Sequence, residues 1–129
     1  MKAHQLYQHK VVFLVDDDPS MLKGVRRLLK HYGYETVSFE TARALKKYNN
    51  FDQAFCIVLD INLSDGSGIE LHHYLTESGV NVPVIYITGN DSEATRTAAM
   101  ASGCLAYLIK PFSAQSLIEP IQQAAATLV

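Results

Sequence analysis

Val11-Val12-Phe13-Leu14-Val15-Asp16-Asp17-Asp18 decides the fold of this chain. The first five residues are apolar without interruption and too few for a helix, the pattern of a strand buried on both faces. Three carboxylates follow at once. The same design recurs three times. Cys56-Ile57-Val58-Leu59 runs into Asp60, Val84-Ile85-Tyr86-Ile87 into Thr88-Gly89, and Leu105-Ala106-Tyr107-Leu108-Ile109 into Lys110-Pro111. In an open parallel sheet such C-terminal ends share one edge, and that edge is where ligands bind.

Strand and helix signals alternate five times. Strands are expected at Lys10–Asp16, Glu35–Phe39, Ala54–Asp60, Val82–Thr88 and Leu105–Lys110. The first helix follows Pro19 and carries an apolar stripe of Met21, Leu22, Val25, Leu28, Leu29 and Tyr32, with Gly33 as its stop signal. Further helices are expected at about Thr41–Tyr48, Ser67–Ser78, Ala94–Ser102 and from Ser113 to about Leu128. Asp91 and Ser92 compete to cap the fourth, and Pro120 falls inside the fifth. The segment Asn62–Gly68, with Asp65-Gly66, reads as a loop. The whole is α/β: a (βα)5 doubly wound, five-stranded parallel sheet with helices on both faces and right-handed crossovers. Residues 1–9 read as an N-terminal arm and residues 10–129 as one domain. The last helix is expected to end close to Val129, which leaves no length here for an effector domain.

The chain has 129 residues, 48% of them hydrophobic and 19% charged, enough for a core without staples. A net charge of −2 gives no reason to expect nucleic acid or an anionic membrane as a direct partner. No apolar run is long enough to span a bilayer, and Met1–Lys10 has no hydrophobic signal core, so the cytoplasm is the expected location. Cys56 and Cys104 read as small buried hydrophobes. His4, His9, His31, His72 and His73 read as surface or structural residues, because no pair has metal-ligand spacing on a helix.

The chemistry lies in the strand ends. Asp16, Asp17 and Asp60 would repel one another on one edge unless a cation stood between them. A few carboxylates plus water and phosphate oxygens suit Mg2+. Asp60, alone at the end of its strand, is the candidate nucleophile for an acyl phosphate. Asp18, before Pro19, reads as a helix cap instead. Lys110 can reach the carboxylates and offset charge on an incoming phosphoryl group. Thr88 offers a hydroxyl donor, and Gly89 leaves room beside it.

Val15-Asp16-Asp17, Leu59-Asp60, Thr88-Gly89 and Lys110-Pro111-Phe112, in this order and at strand ends, resemble the receiver domain of two-component response regulators. The resemblance runs from about Lys10 to Leu128. It implies a flavodoxin-like sheet of order 2-1-3-4-5, like that of the chemotaxis regulators. It implies that Asp60 is phosphorylated by a sensor histidine kinase or a phosphotransfer protein. Asp17 would hold Mg2+ directly, Asp16 through water, and Asn62 through its backbone carbonyl. Lys110 would pair with the phosphoryl group, Thr88 would move toward it, and Tyr107 would rotate inward. Ile87-Thr88-Gly89-Asn90 and Ser67-Gly68-Ile69-Glu70-Leu71 look most like nitrogen-fixation-type receivers joined to helix-turn-helix effectors. Two departures stand out. Ser64 takes a place where proline is frequent, which loosens the loop, and Asn62 and Asn90 flank the site with amides.

A signalling switch is therefore expected, with no turnover of an external metabolite. An aspartyl-phosphate phosphatase would want a second acid two residues beyond the nucleophile, where Asn62 stands. An unphosphorylated interaction module would usually lack an acid or the lysine, and all are present. The weakly charged face of helix 4, strand 5 and helix 5 is a candidate homodimer surface. Lys23, Arg26, Arg27 and Lys30 share one face of helix 1, readable as kinase docking or as a solvated basic face.

Overall fold

A computed structural model of the chain describes residues 11–127. The N-terminal arm 1–9, Lys10 and the expected end of the last helix at Leu128 lie outside the described residues. The central sheet has five parallel strands, β1 (Val11–Val15), β2 (Glu35–Phe39), β3 (Ala54–Asp60), β4 (Val84–Thr88) and β5 (Ala106–Ile109). Their spatial order is β2-β1-β3-β4-β5, as expected. The helices are α1 (Pro19–His31), α2 (Ala42–Tyr48), α3 (Gly68–Glu77), α4 (Glu93–Ala101) and α5 (Ala114–Ala126).

Period-two alternation divides each central strand between two cores. Val12, Leu14, Cys56, Val58, Ile85 and Ile87 pack with Leu22, Val25 and Leu29 of α1 and Leu117, Ile118 and Ile121 of α5. Phe13, Val15, Ile57, Leu59 and Tyr86 pack with Leu45 of α2, Leu71 and Leu75 of α3 and Ala99 of α4. Both faces of β1, β3 and β4 are buried, which is why these strands stay apolar up to the Asp60 and Thr88 that end β3 and β4. Burial pushes the Cys56 thiol up to about 12 and makes it a core hydrophobe. Cys104 is only half-buried.

Several expectations need correction. The fifth strand is not buried like β1, β3 and β4. It lies at the sheet edge with one neighbour, so Ala106, Tyr107 and Leu108 are half-buried and Ile109 is 41% exposed. Tyr32 leaves the stripe of α1. The helix ends at His31, Gly33 takes φ +88°, and the Tyr32 ring is exposed. The loop after β3 contains a small antiparallel hairpin pairing Asn62 with Ser67 and Leu63 with Gly66. Pro120 sits inside α5 without ending it.

Caps set the helix starts. Asp18, Thr41, Ser67, Ser92 and Ser113 each accept a backbone N–H of the following turn. Asp18 is thus a cap, and Ser92 rather than Asp91 caps α4. Among the described residues no helix is long and apolar enough to cross a membrane.

Candidate functional site

Register builds the site. Val15 pairs with Leu59 and Asp60 with Ile87, so the residues that leave β1 and β3 emerge side by side. Thr88 pairs with Ile109, and the Lys110 N–H donates to the Thr88 carbonyl at 2.8 Å, which brings the lysine to the same edge. Asp16, Asp17 and Asp60 each offer a carboxylate oxygen within 4.8 Å of the others. Asp16 and Asp60 are buried, and Asp17 is exposed.

Hydrogen bonds aim these groups. Asp16 Oδ1 accepts the Asp18 N–H at 2.9 Å, and Asp60 Oδ1 accepts the Asn62 N–H at 3.0 Å. Each acid keeps its other oxygen for the lysine. Lys110 Nζ stands 3.1 Å from Asp16 Oδ2 and 3.3 Å from Asp60 Oδ2. Thr88 is fully buried. Its hydroxyl donates to Asn62 Oδ1 at 3.0 Å and accepts the Asn90 N–H at 3.0 Å. A Cβ on Gly89 would meet the Lys110 stem at 3.8 Å, an ordinary van der Waals contact.

The electrostatics suit a divalent cation. Burial, with the neighbouring Asp60 charge added, holds the Asp16 carboxyl above the usual carboxylate range against its bonds to Asp18 and Lys110. Burial pulls Lys110 down, but the Asp16 hydrogen bond and the Asp60 and Asp16 charges outweigh it and hold the ammonium above its ordinary value. Three carboxylates against one ammonium leave an excess of negative charge, and the cluster can bind a metal.

The expected residues Asp16, Asp17, Asp60, Asn62, Thr88 and Lys110 come together. Tyr107 does not. Its hydroxyl donates to Asp91 Oδ1 at 2.7 Å, and Arg96 binds the other Asp91 oxygen at 2.8 Å while lying over the Tyr107 ring. Burial and the Asp91 bond push the Tyr107 hydroxyl up to about 12.

Two features of the segment that follows Asp60 have no sequence signal of their own. Gly68 packs so tightly that a Cβ there would collide with the Asp60 carbonyl oxygen, and its N–H donates to the Ile61 carbonyl at 2.8 Å. Asp65 reaches another helix, with Oδ1 accepting the Ala42 N–H and Oδ2 the Arg43 N–H, each at 3.0 Å. A glycine or aspartate in a turn-rich segment reads as loop chemistry, and its partners lie on distant segments.

A family model described as response regulator receiver domain matches residues 12–122. Nodulation protein W of Bradyrhizobium diazoefficiens is 33% identical over 111 residues, covering 86% of this chain and 49% of that protein. A CheY-like response regulator receiver domain protein from Methanospirillum hungatei JF-1 superposes with TM-score 0.83 at 29% identity, over 92% of this chain and 95% of that one. The beryllofluoride-activated NtrC4 receiver domain, solved as a dimer, superposes with TM-score 0.84 at 30% identity, over 93% and 99% of the two chains. The chain spans about half the length of the curated relatives it matches.

Proposed function

This chain belongs to the response regulator receiver domain family of two-component signalling, and from that premise we propose that Asp60 is its phosphoryl acceptor, with Mg2+ held by Asp16, Asp17, Asp60 and the Asn62 backbone carbonyl. The observation that carries the reading is Asp60 itself. It is buried, 3.3 Å from an ammonium, and within ligand reach of two further carboxylates. A buried acid so placed is exposed to reactants only from the sheet edge.

In the reaction an Asp60 carboxylate oxygen bonds phosphorus as the P–N bond of a phosphohistidine breaks. The imidazole leaves with the electron pair and takes a proton from water. Lys110 turns from the Asp60 carboxylate to the phosphoryl oxygens, and Thr88 gives up Asn62 Oδ1 to donate to one of them. When bound, Mg2+ offsets charge on the phosphoryl oxygens. Loss of the phosphoryl group to water restores Asp60. The protein is thus a switch, not an enzyme acting on a metabolite.

Residues 10–129 form the receiver and 1–9 an arm. The donor is a sensor histidine kinase or a phosphotransfer protein. A groove of about 540 Å³ beside Asp18, lined by Met21, Val25, Leu28 and Phe112, offers an apolar seat next to the acids. The exposed Lys23, Arg26, Arg27 and Lys30 lie on the same helix. Output passes through α4, β5 and α5, where Met100 and Ile109 are exposed. This face forms a homodimer on phosphorylation, a reading favoured by the dimeric state of the activated NtrC4 receiver. The curated relatives are about twice as long, so an effector domain would sit in a longer parent chain, and the location is the cytoplasm.

Intact-protein mass spectrometry after incubation with acetyl phosphate tests the proposal. One phosphoryl adduct is expected with Mg2+, none with a chelator and none in Asp60→Asn. Undiminished labelling of Asp60→Asn would move the acceptor elsewhere. No adduct in the unsubstituted protein, under conditions where another receiver labels, would leave an unphosphorylated interaction module.

A further inference from the structure

Asp65 stands near the tip of the hairpin that joins β3 to α3, and it ties that hairpin to a helix more than twenty residues earlier in the chain. Its two oxygens accept the N–H groups of Ala42 and Arg43, the first two residues of α2. These are donors that no intrahelical carbonyl can satisfy. The cap Thr41 takes the N–H of Ala44 and leaves both to Asp65. The two backbone bonds, aided by the Lys46 charge, hold the Asp65 carboxyl below its usual range.

The base of the same hairpin belongs to the site. Asn62 donates its N–H to Asp60 and accepts the Thr88 hydroxyl on its amide oxygen. The hairpin is two rungs long and closed by the Gly68 N–H on the Ile61 carbonyl. Ser64 is exposed at its turn and supplies none of the φ restriction that a proline would. Beyond the base, buried Leu63 and the Asp65 clamp are what fix it to the body of the protein. A carboxylate taking two backbone N–H groups is a directional tie, whereas a single leucine contact is not.

We propose that Asp65 is a positioning residue for the cation site: by clamping the hairpin to the start of α2 it holds the backbone of Asn62 against Asp16, Asp17 and Asp60. The inference rests on the metal reading above and adds a residue to it. Groups that orient a ligand without touching the metal typically account for about 10- to 100-fold in affinity. The role Asp65 would have in any case is to cap α2, and the experiment separates the two.

Mg2+ affinity is measured by isothermal titration calorimetry on the full chain, and amide hydrogen exchange of residues 62–67 is followed without metal. Asp65→Ala is expected to weaken Mg2+ binding about 10-fold and to speed exchange across the hairpin. Asp65→Asn, which keeps one oxygen acceptor, falls between. Thr41→Ala removes the other α2 cap and is expected to lower the melting temperature while leaving Mg2+ affinity unchanged. Equal affinity in Asp65→Ala and the unsubstituted protein overturns the proposal. So does an equal loss in Thr41→Ala, since helix stability alone would then explain the effect. Absence of Mg2+ binding in the unsubstituted protein defeats the metal reading itself.

Discussion

His72 Nδ1 and the Tyr86 hydroxyl stand 2.8 Å apart inside the core between α3 and β4. The bond has a fixed direction. The Ser102 hydroxyl donates to the Ala99 carbonyl at 2.6 Å, so its oxygen accepts the Tyr86 proton at 2.8 Å. Tyr86 must then accept from His72, which places the imidazole proton on Nδ1. The relay joins α3, the strand that carries Thr88, and the C-terminal end of α4. Burial pushes the Tyr86 hydroxyl up to about 12, so it stays a donor.

Tyr86→Phe removes the middle of this relay and strands a donor on His72 and an acceptor on Ser102. Unsatisfied buried groups cost about 1–3 kcal/mol. Urea denaturation should give a loss in that range with an unchanged slope. A stability equal to that of the unsubstituted protein would mean that water replaces the hydroxyl.

His72 also sets a pH dependence. Burial, then the nearby His73 charge, hold it below its ordinary 6.5. The unfolded chain therefore takes the proton first. The contribution is full above 6.5 and is lost as pH falls toward the folded-state value. His72→Gln should remove this component, so the difference in melting temperature between the two proteins should change as pH falls below 6.5. A constant difference from pH 8 to pH 5 would show that His72 does not titrate differently on folding.

Asp16 works in the opposite sense. Its carboxyl is held above the usual range, chiefly by burial, so the folded protein binds that proton more tightly than the unfolded chain does, and ionised Asp16 opposes folding at neutral pH. Asp16→Asn keeps an acceptor for Asp18 and removes the charge. The metal-free protein is expected to melt at a higher temperature, while Mg2+ affinity falls by more than about 10-fold. A lower melting temperature would mean that the Lys110 pair outweighs the cost of burial.

Gly68→Ala forces a methyl group against the Asp60 carbonyl oxygen. Overpacking of this kind costs about 1–3 kcal/mol. Because the clash falls on the backbone of the proposed acceptor, labelling by acetyl phosphate should slow as well. Loss of stability with unchanged labelling would show that α3 yields and β3 does not.

The middle of the sheet was legible because its three central strands had to be almost continuously apolar. Val11–Val15, Ala54–Asp60 and Val84–Thr88 are buried on both faces, and a charged or small polar residue enters only at the last position, Asp60 or Thr88. The same rule put the acids and Lys110 at strand ends, so most of the candidate site could be read before its geometry was known. The fifth strand misled for the same reason. An apolar edge strand and an apolar central strand look alike until neighbours are counted.

The sequence read alone settles what is local: strand content, a helix cap such as Asp18, and the polar residues at the ends of β1, β3, β4 and β5. These follow from backbone chemistry within a few residues. Packing decides which distant groups meet. Asp65 on the start of α2, Gly68 against Asp60, His72 on Tyr86 and Tyr107 turned to Asp91 each join segments on different elements. No periodicity encodes such pairs. They depend on the crossing of helices over the sheet, which the parallel register fixes only once the whole chain has packed.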